Sequence, residues 1–159
     1  MKVITSQLVN ELLEQAGTNA RKRTHYNVHE SAADPVQRLF VAARLSTYFR
    51  PHRHADKGEF AMVIRGLFDV LVFDDASRIM KRVTVGPGAD AIGFDMPSNT
   101  WHTWIPRADA SVFFETKQGP YDAATAAEFA PWSPAEGTPQ VDAFRSRLRE
   151  AKVGDRLAG

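Results

Sequence analysis

The sequence predicts one mostly β domain, a sandwich or barrel of short strands with a helix at each end. Between about Val36 and Lys117 the apolar pattern runs with a period of two. Turn signals break that stretch every eight to twelve residues, a rhythm that suits a sandwich or barrel better than βαβ units. Apolar residues at helical spacing frame it on both sides. A length of 159 residues fits a single domain with a core of its own.

Taken in order, Ile4, Leu8, Leu12 and Leu13 recur at helical spacing, Thr5 or Ser6 can cap the start, and Gly17 can end the helix. Residues 18–35 read as a polar connector whose basic run, Arg21-Lys22-Arg23, is a solvated face. Residues 59–73 form two β-rich runs parted at Arg65-Gly66. The turn Asp74-Asp75-Ala76-Ser77 leads to a third run, 79–85, closed by Gly86-Pro87-Gly88. Further strands are expected at 91–94, 103–105 and 111–116. Residues 60–64 are apolar without alternation, so both faces of that strand need cover, from the terminal helices or from a second subunit. After Gly119-Pro120 the chain turns loop-rich. A last helix follows, with Thr138 as N-cap, Pro139 in the first turn, and Val141, Phe144 and Leu148 on one face. The single domain thus divides into helix and connector (1–34), β core (35–118), and loop-rich segment with the C-terminal helix (119–159).

Composition narrows the function. Twenty Lys and Arg balance nineteen Asp and Glu, which gives no electrostatic case for nucleic acid as a partner. No stretch approaches 18 consecutive apolar residues, so no membrane-spanning helix is expected. Asn10, Glu11 and Glu14 interrupt the first helix, which therefore does not read as a secretory signal, and the expected location is cytoplasmic. The absence of cysteine removes disulfides, zinc ribbons and thiol nucleophiles. Transition-metal chemistry would then rest on carboxylates and the five histidines.

The informative stretch is Pro51-His52-Arg53-His54-Ala55-Asp56-Lys57-Gly58-Glu59. His52 and His54 are two apart, so on a strand both imidazoles project from one face. A short connection can return the Glu59 carboxylate beside them. In Pro97-Ser98-Asn99-Thr100-Trp101-His102 a third histidine follows a turn, and Asn99 is the non-glycine residue type most at home at positive φ. Three imidazoles and one carboxylate suit one divalent Fe, Mn, Ni, Cu or Zn with two exchangeable positions. Tyr48 and Arg50 share the parity of His52 and His54 and become candidates for substrate contact, whereas Arg53 should point the other way. Lys57, Trp101, Glu115 and Tyr121 are further candidates.

The spacing of His52, His54, Glu59 and Gly66 resembles the first motif of the cupin superfamily, and Pro97, Asn99 and His102 resemble the second. Ser46, Asn99 and Pro106 stand where that pattern usually has Gly, Gly and Asn. The resemblance implies a single jelly-roll β-barrel with His52, His54, Glu59 and His102 as ligands of a divalent metal. A narrower resemblance, to the WbuC-type cupin-fold metalloproteins, rests on residues 34–39, Trp101-His102-Thr103, Phe113-Phe114-Glu115, Gly119-Pro120-Tyr121-Asp122 and residues 129–136. It implies a link to surface-polysaccharide metabolism, and it implies that residues 24–29 cross the barrel mouth with Asn27 or His29 facing substrate. The expected function is a metal-dependent enzyme, an isomerase or dioxygenase, acting on a sugar, sugar nucleotide or organic acid. The competing expectation is a non-enzymatic module that binds or senses a small ligand. A homodimer is expected in either case.

Overall fold

A computed structural model describes residues 1–158. The chain begins with α1 (Ser6–Thr18) and ends with α2 (Val141–Glu150). Between them run β1 (Arg23–Asn27), β2 (Val36–Ala43), β3 (His52–Arg53), β4 (Glu59–Arg65) and β5 (Phe68–Phe73). There follow β6 (Ile79–Val85), β7 (Gly93–Met96), β8 (Trp101–Pro106), β9 (Ser111–Gln118) and β10 (Glu128–Phe129). Two antiparallel five-stranded sheets result, one ordered β1-β2-β9-β4-β7 and the other β10-β3-β8-β5-β6.

The sheets pack face to face, and alternation along each strand sorts the apolar residues into three cores. Val41, Ala61, Val63, Met96 and Phe113 from the first sheet meet Phe68, Val70 and Trp104 from the second. At the centre of this layer Trp104 stacks on Phe113 with ring centroids 4.0 Å apart. On the outside of the first sheet, Leu12, Leu13 and Ala16 of α1 cover Phe40, Ala42 and Val112. On the outside of the second, Phe144 and Leu148 of α2 cover Leu71, Phe73, Ile79 and Ile105.

The sequence expectations meet this architecture with four corrections. The sheets do not close into a continuous hydrogen-bonded barrel, because the β1 edge of one sheet finds no partner strand in the other. The connector contains a strand, β1, which a basic run had disguised; its residues alternate between half-buried and exposed at a sheet edge. Gly17 lies inside α1 rather than after it, and its missing side chain makes room for the Arg44 guanidinium, which would stand 3.0 Å from a Cβ there. Of the two expected N-caps Thr5 holds the position, its hydroxyl accepting from the Leu8 amide at 3.1 Å. Thr138 does not cap α2: its hydroxyl donates to the Ala135 carbonyl, and Gln140 takes the N-cap position. The outer face of β4 is also left open by both helices, with Phe60 43% and Ile64 46% exposed. Gly66, at φ +71, turns β4 into β5 where a Cβ would lie 2.7 Å from the Ala110 carbonyl oxygen.

One charged cluster fastens α2 to the second sheet. The Arg82 guanidinium donates to the carbonyls of Leu148, Arg149 and Ala151 at 3.1, 2.9 and 2.6 Å, satisfying the free end of the helix. The same group pairs with the buried Asp69 carboxylate at 2.5 Å, which also accepts from Thr84 and Arg107. Replacing Arg82 by Met should therefore lower stability in urea by about 3 kcal/mol, the scale for breaking a buried pair and orphaning its partner. Hydrogen exchange should localise the loosening to 141–151; a loss below about 0.5 kcal/mol, the usual range for surface changes, would contradict this account.

Candidate metal centre and cavity

Strand pairing places the three histidines. His52 in β3 stands directly opposite His102 in β8, which brings their rings to 4.5 Å between centroids. His54 follows two residues on, its ring 5.2 Å from that of His52. Asn99 occupies the left-handed region, φ +59, as its residue type suggested, and its amide donates to the His54 carbonyl at 2.7 Å. That bond ties the two sequence motifs together.

The imidazoles share one orientation. Nδ1 of His52, His54 and His102 each lies 2.5 to 2.9 Å from a backbone carbonyl, of Arg50, Ala126 and Thr100 respectively. A carbonyl can only accept, so each Nδ1 carries a proton and each Nε2 of a neutral ring presents a lone pair inward. The three histidines offer ligand atoms that all lie within 4.8 Å of one another.

Glu59, the first residue of β4, completes the group from the other sheet. It is 2% exposed, with Oε1 3.0 Å from His102 Nε2 and Oε2 3.1 Å from His54 Nε2. Lone pairs facing a carboxylate in a desolvated site repel unless a cation lies among them. A proton can fill that role: burial opposes a charged His102, but the Glu59 carboxylate overcomes it and holds the imidazole above its usual range. Burial would likewise raise Glu59, yet His102, His54 and Lys117 together keep it well below the carboxylate norm. His52 is pushed down to about 3 by burial and by neighbouring His102, so its Nε2 stays bare. Glu59 Oε1 and His102 Nε2 are buried without a hydrogen-bond partner. Three imidazole nitrogens and one carboxylate therefore fit a borderline divalent cation.

A cavity of about 650 Å³ opens beside this group. His52 and Glu59 face it, whereas His54 and His102 sit behind them. Of the other candidates from the sequence, Asn27, His29, Glu115 and Tyr121 line the cavity. The Arg38 amide donates to His29 Nδ1 at 3.0 Å, continuing the β1–β2 ladder through a side chain. Tyr48 and Arg50 do not line it. Tyr48 packs in the α2 core with its hydroxyl on the Pro134 carbonyl at 3.0 Å, and Arg50 binds Ser133 and lies over the Phe129 ring. Parity carries back from His52 only along a continuous strand, and residues 44–51 are irregular. Arg53 points outward, as its parity requires, onto Trp101 and Glu128. Lys57 reaches the Pro120 carbonyl at 2.7 Å.

Lys117 was not among the sequence candidates. It stands opposite Glu59 in the β4–β9 register and pairs with both Glu115 and Glu59. The signal was available: Phe113, Glu115 and Lys117 share one face of β9, so a buried Glu115 brings Lys117 inward as well.

Residues 4–85, just over half of the chain, match the family described as a domain of unknown function, DUF6016. The chain belongs to the DUF6016 family. A search of the curated proteins finds no match. Among solved structures, this DUF6016 protein is similar to a cupin 2 conserved barrel domain protein from Rhodopseudomonas palustris, with TM-score 0.52 and 16% identity over 80% of this chain and 74% of that one. It is also similar to an oxalate oxidase in complex with glycolate, with TM-score 0.54 and 14% identity over 84% and 69% of the two chains. The DMSP lyase DddQ from Ruegeria pomeroyi gives TM-score 0.54 and 17% identity over 72% of this chain, which spans 54% of that enzyme. The fold is thus that of the cupins. Among the described residues no helix is long and apolar enough to cross a membrane.

The cavity rim is held by Glu136, which accepts from Arg21 at 2.6 Å and from Arg23 at 2.5 Å. Burial alone would raise the Glu136 pKa, but the two guanidinium bonds outweigh it and the net shift is downward from 4.5. A depressed carboxylate contributes stability above its unfolded pKa and loses it as pH falls through the folded value. Glu136→Gln should therefore cost about 1 kcal/mol near pH 7, the scale of a partly exposed charged pair. Paired urea titrations should show that gap closing as pH falls below 4.5. A gap independent of pH would contradict the assignment.

Proposed function

We propose that this protein is a divalent-metal-binding cupin and a metal-dependent enzyme acting on a small polar molecule. His52, His54, Glu59 and His102 are its ligands in this reading. The observation that carries it is the convergence of three imidazoles, each fixed by an Nδ1–H bond to a backbone carbonyl and with ligand atoms within 4.8 Å of one another, with the buried Glu59 carboxylate against two of them. A divalent metal bound there would supply Lewis acidity toward a substrate oxygen.

The protein's own residues supply the rest of the site. His52 and Glu59 present the metal-binding group to the cavity, Glu115 and Lys117 stand beside it, and Asn27, His29 and Tyr121 lie along the walls. The volume of about 650 Å³ is in the range of small-molecule pockets. Neighbours of the same fold that are named for oxalate, glycolate and DMSP support a small polar substrate. The narrower kinship with WbuC-type proteins, the link to surface polysaccharide and a cytoplasmic setting rest on the sequence motifs and remain part of the proposal. So does a homodimer, for which the exposed Phe60 and Ile64 on the outer face of β4 offer apolar area. Sedimentation should then give a dimer that Ile64→Glu splits into monomers; a monomeric parent protein would remove that part.

Elemental analysis of the purified protein should find one divalent metal per chain. His52→Ala and His102→Ala should each weaken the metal by more than tenfold, since even partners of ligands are worth 10–100-fold. A hundredfold excess of metal over Kd should also stabilise the fold by about 2.7 kcal/mol. Protein that takes up no stoichiometric metal, or variants that keep it, would overturn the reading.

A further inference from the structure

The metal-binding group leaves one part of the cavity wall unexplained. Glu115 is 6% exposed and lies on β9 opposite Ala61, facing the cavity two residues from Lys117. Its Oε1, fully buried, lies against the Lys117 ammonium, and Lys117 is the one side chain that hydrogen-bonds the carboxylate among the described residues, which leaves Oε2 to a ligand. A buried carboxylate with an open acceptor position is costly unless something polar docks there. The ammonium next to it has three protons, and Glu115 and Glu59 occupy two directions.

An acceptor and a donor in direct contact recognise two adjacent hydroxyls. One hydroxyl donates to the free Glu115 oxygen, and its neighbour accepts from Lys117. A lone carboxylate ligand would meet Glu115 with like charge, so this wall does not suit the anionic end of a simple acid. Beside the charged pair the cavity is apolar: Leu39 and Val41 stand next to Glu115 and Phe113 in the β2–β9 register, and Phe49 lines the cavity with them. A ring with hydroxyls on its rim and C–H bonds on its face matches a charged pair set beside apolar and aromatic side chains.

We infer that the Glu115–Lys117 pair is a recognition site for the vicinal diol of a sugar ring. The inference rests on the proposed small-molecule function and narrows it from sugars, sugar nucleotides or organic acids to polyhydroxylated rings. Glu115 and Lys117 are specificity residues in this scheme and need perform no bond-making step.

The test is calorimetry on the zinc-loaded protein. The probes are methyl glycosides and uridine diphosphate derivatives of glucose, galactose, mannose and N-acetylglucosamine, with glycolate and oxalate as carboxylate probes. At least one sugar should bind with Kd in the millimolar range or tighter, and Glu115→Gln should weaken it about 10- to 100-fold, the scale of a hydrogen bond to a charged group. The matching deoxy sugar should lose a similar factor with the parent protein, while Glu115→Gln keeps one zinc per chain and binds glycolate as tightly as the parent or more tightly. A panel in which only the carboxylates bind, or no sugar binds, would overturn the inference, as would sugar binding indifferent to Glu115→Gln. Zinc content is measured separately, so loss of the metal reading is distinguishable from loss of this one.

Discussion

The geometry of this molecule depends on three hydrogen bonds from imidazole Nδ1 to backbone carbonyls. Each bond is ordinary, yet together they fix the tautomers of His52, His54 and His102, bring the three rings together and set the Nε2 atoms of His54 and His102 against Glu59. In water the arrangement would be loose and screened. Between two packed sheets it is desolvated, so the carboxylate and the lone pairs need a shared cation. A proton on His102 meets that need in part, and the divalent metal of the proposed function would meet it fully. Glu59 Oε1 and His102 Nε2 face each other at 3.0 Å, both buried, and no other group reaches either atom.

The fold exists to hold that group from two sides. His52 and His102 come from one sheet and Glu59 from the other, so the site depends on the packing between them, centred on the Trp104–Phe113 stack. Each sheet is backed by its own helix, which leaves the inner faces free to specialise. At one end the inner layer is apolar core; toward the unpaired β1 edge it becomes cavity, with charged groups in the same rows. Residues of the unpaired edge strand, Arg23, Thr24, His25 and Asn27, line that cavity.

Much of this was legible in the sequence because strands write their burial in alternating residues. The β4, β5 and β6 limits follow from the Arg65-Gly66 and Gly86-Pro87-Gly88 breaks, and Ile79–Val85 has the bounds the pattern gave. The histidines, Glu59 and the positive φ of Asn99 were readable from spacing and residue type. Other features depended on distant contacts. Gly17 looked like a helix stop, but its neighbour Arg44 comes from a different strand end, and the edge strand β1 was hidden by its basic residues. Tyr48 and Arg50 failed as pocket residues because parity holds only while a strand continues, and β3 is two residues long. Lys117 is legible by the same parity, since it shares a face of β9 with Phe113 and Glu115.

The most direct measurement is nitrogen NMR of histidine side chains labelled with ¹⁵N, recorded before and after one equivalent of zinc. Five imidazoles are present. The account predicts that Nε2 of three rings, those of His52, His54 and His102, shifts to the metal-bound range together, while their Nδ1 protons persist and His25 and His29 do not change. Zinc that moves His25 or His29 instead, binds through Nδ1, or leaves all five rings unaltered would contradict it.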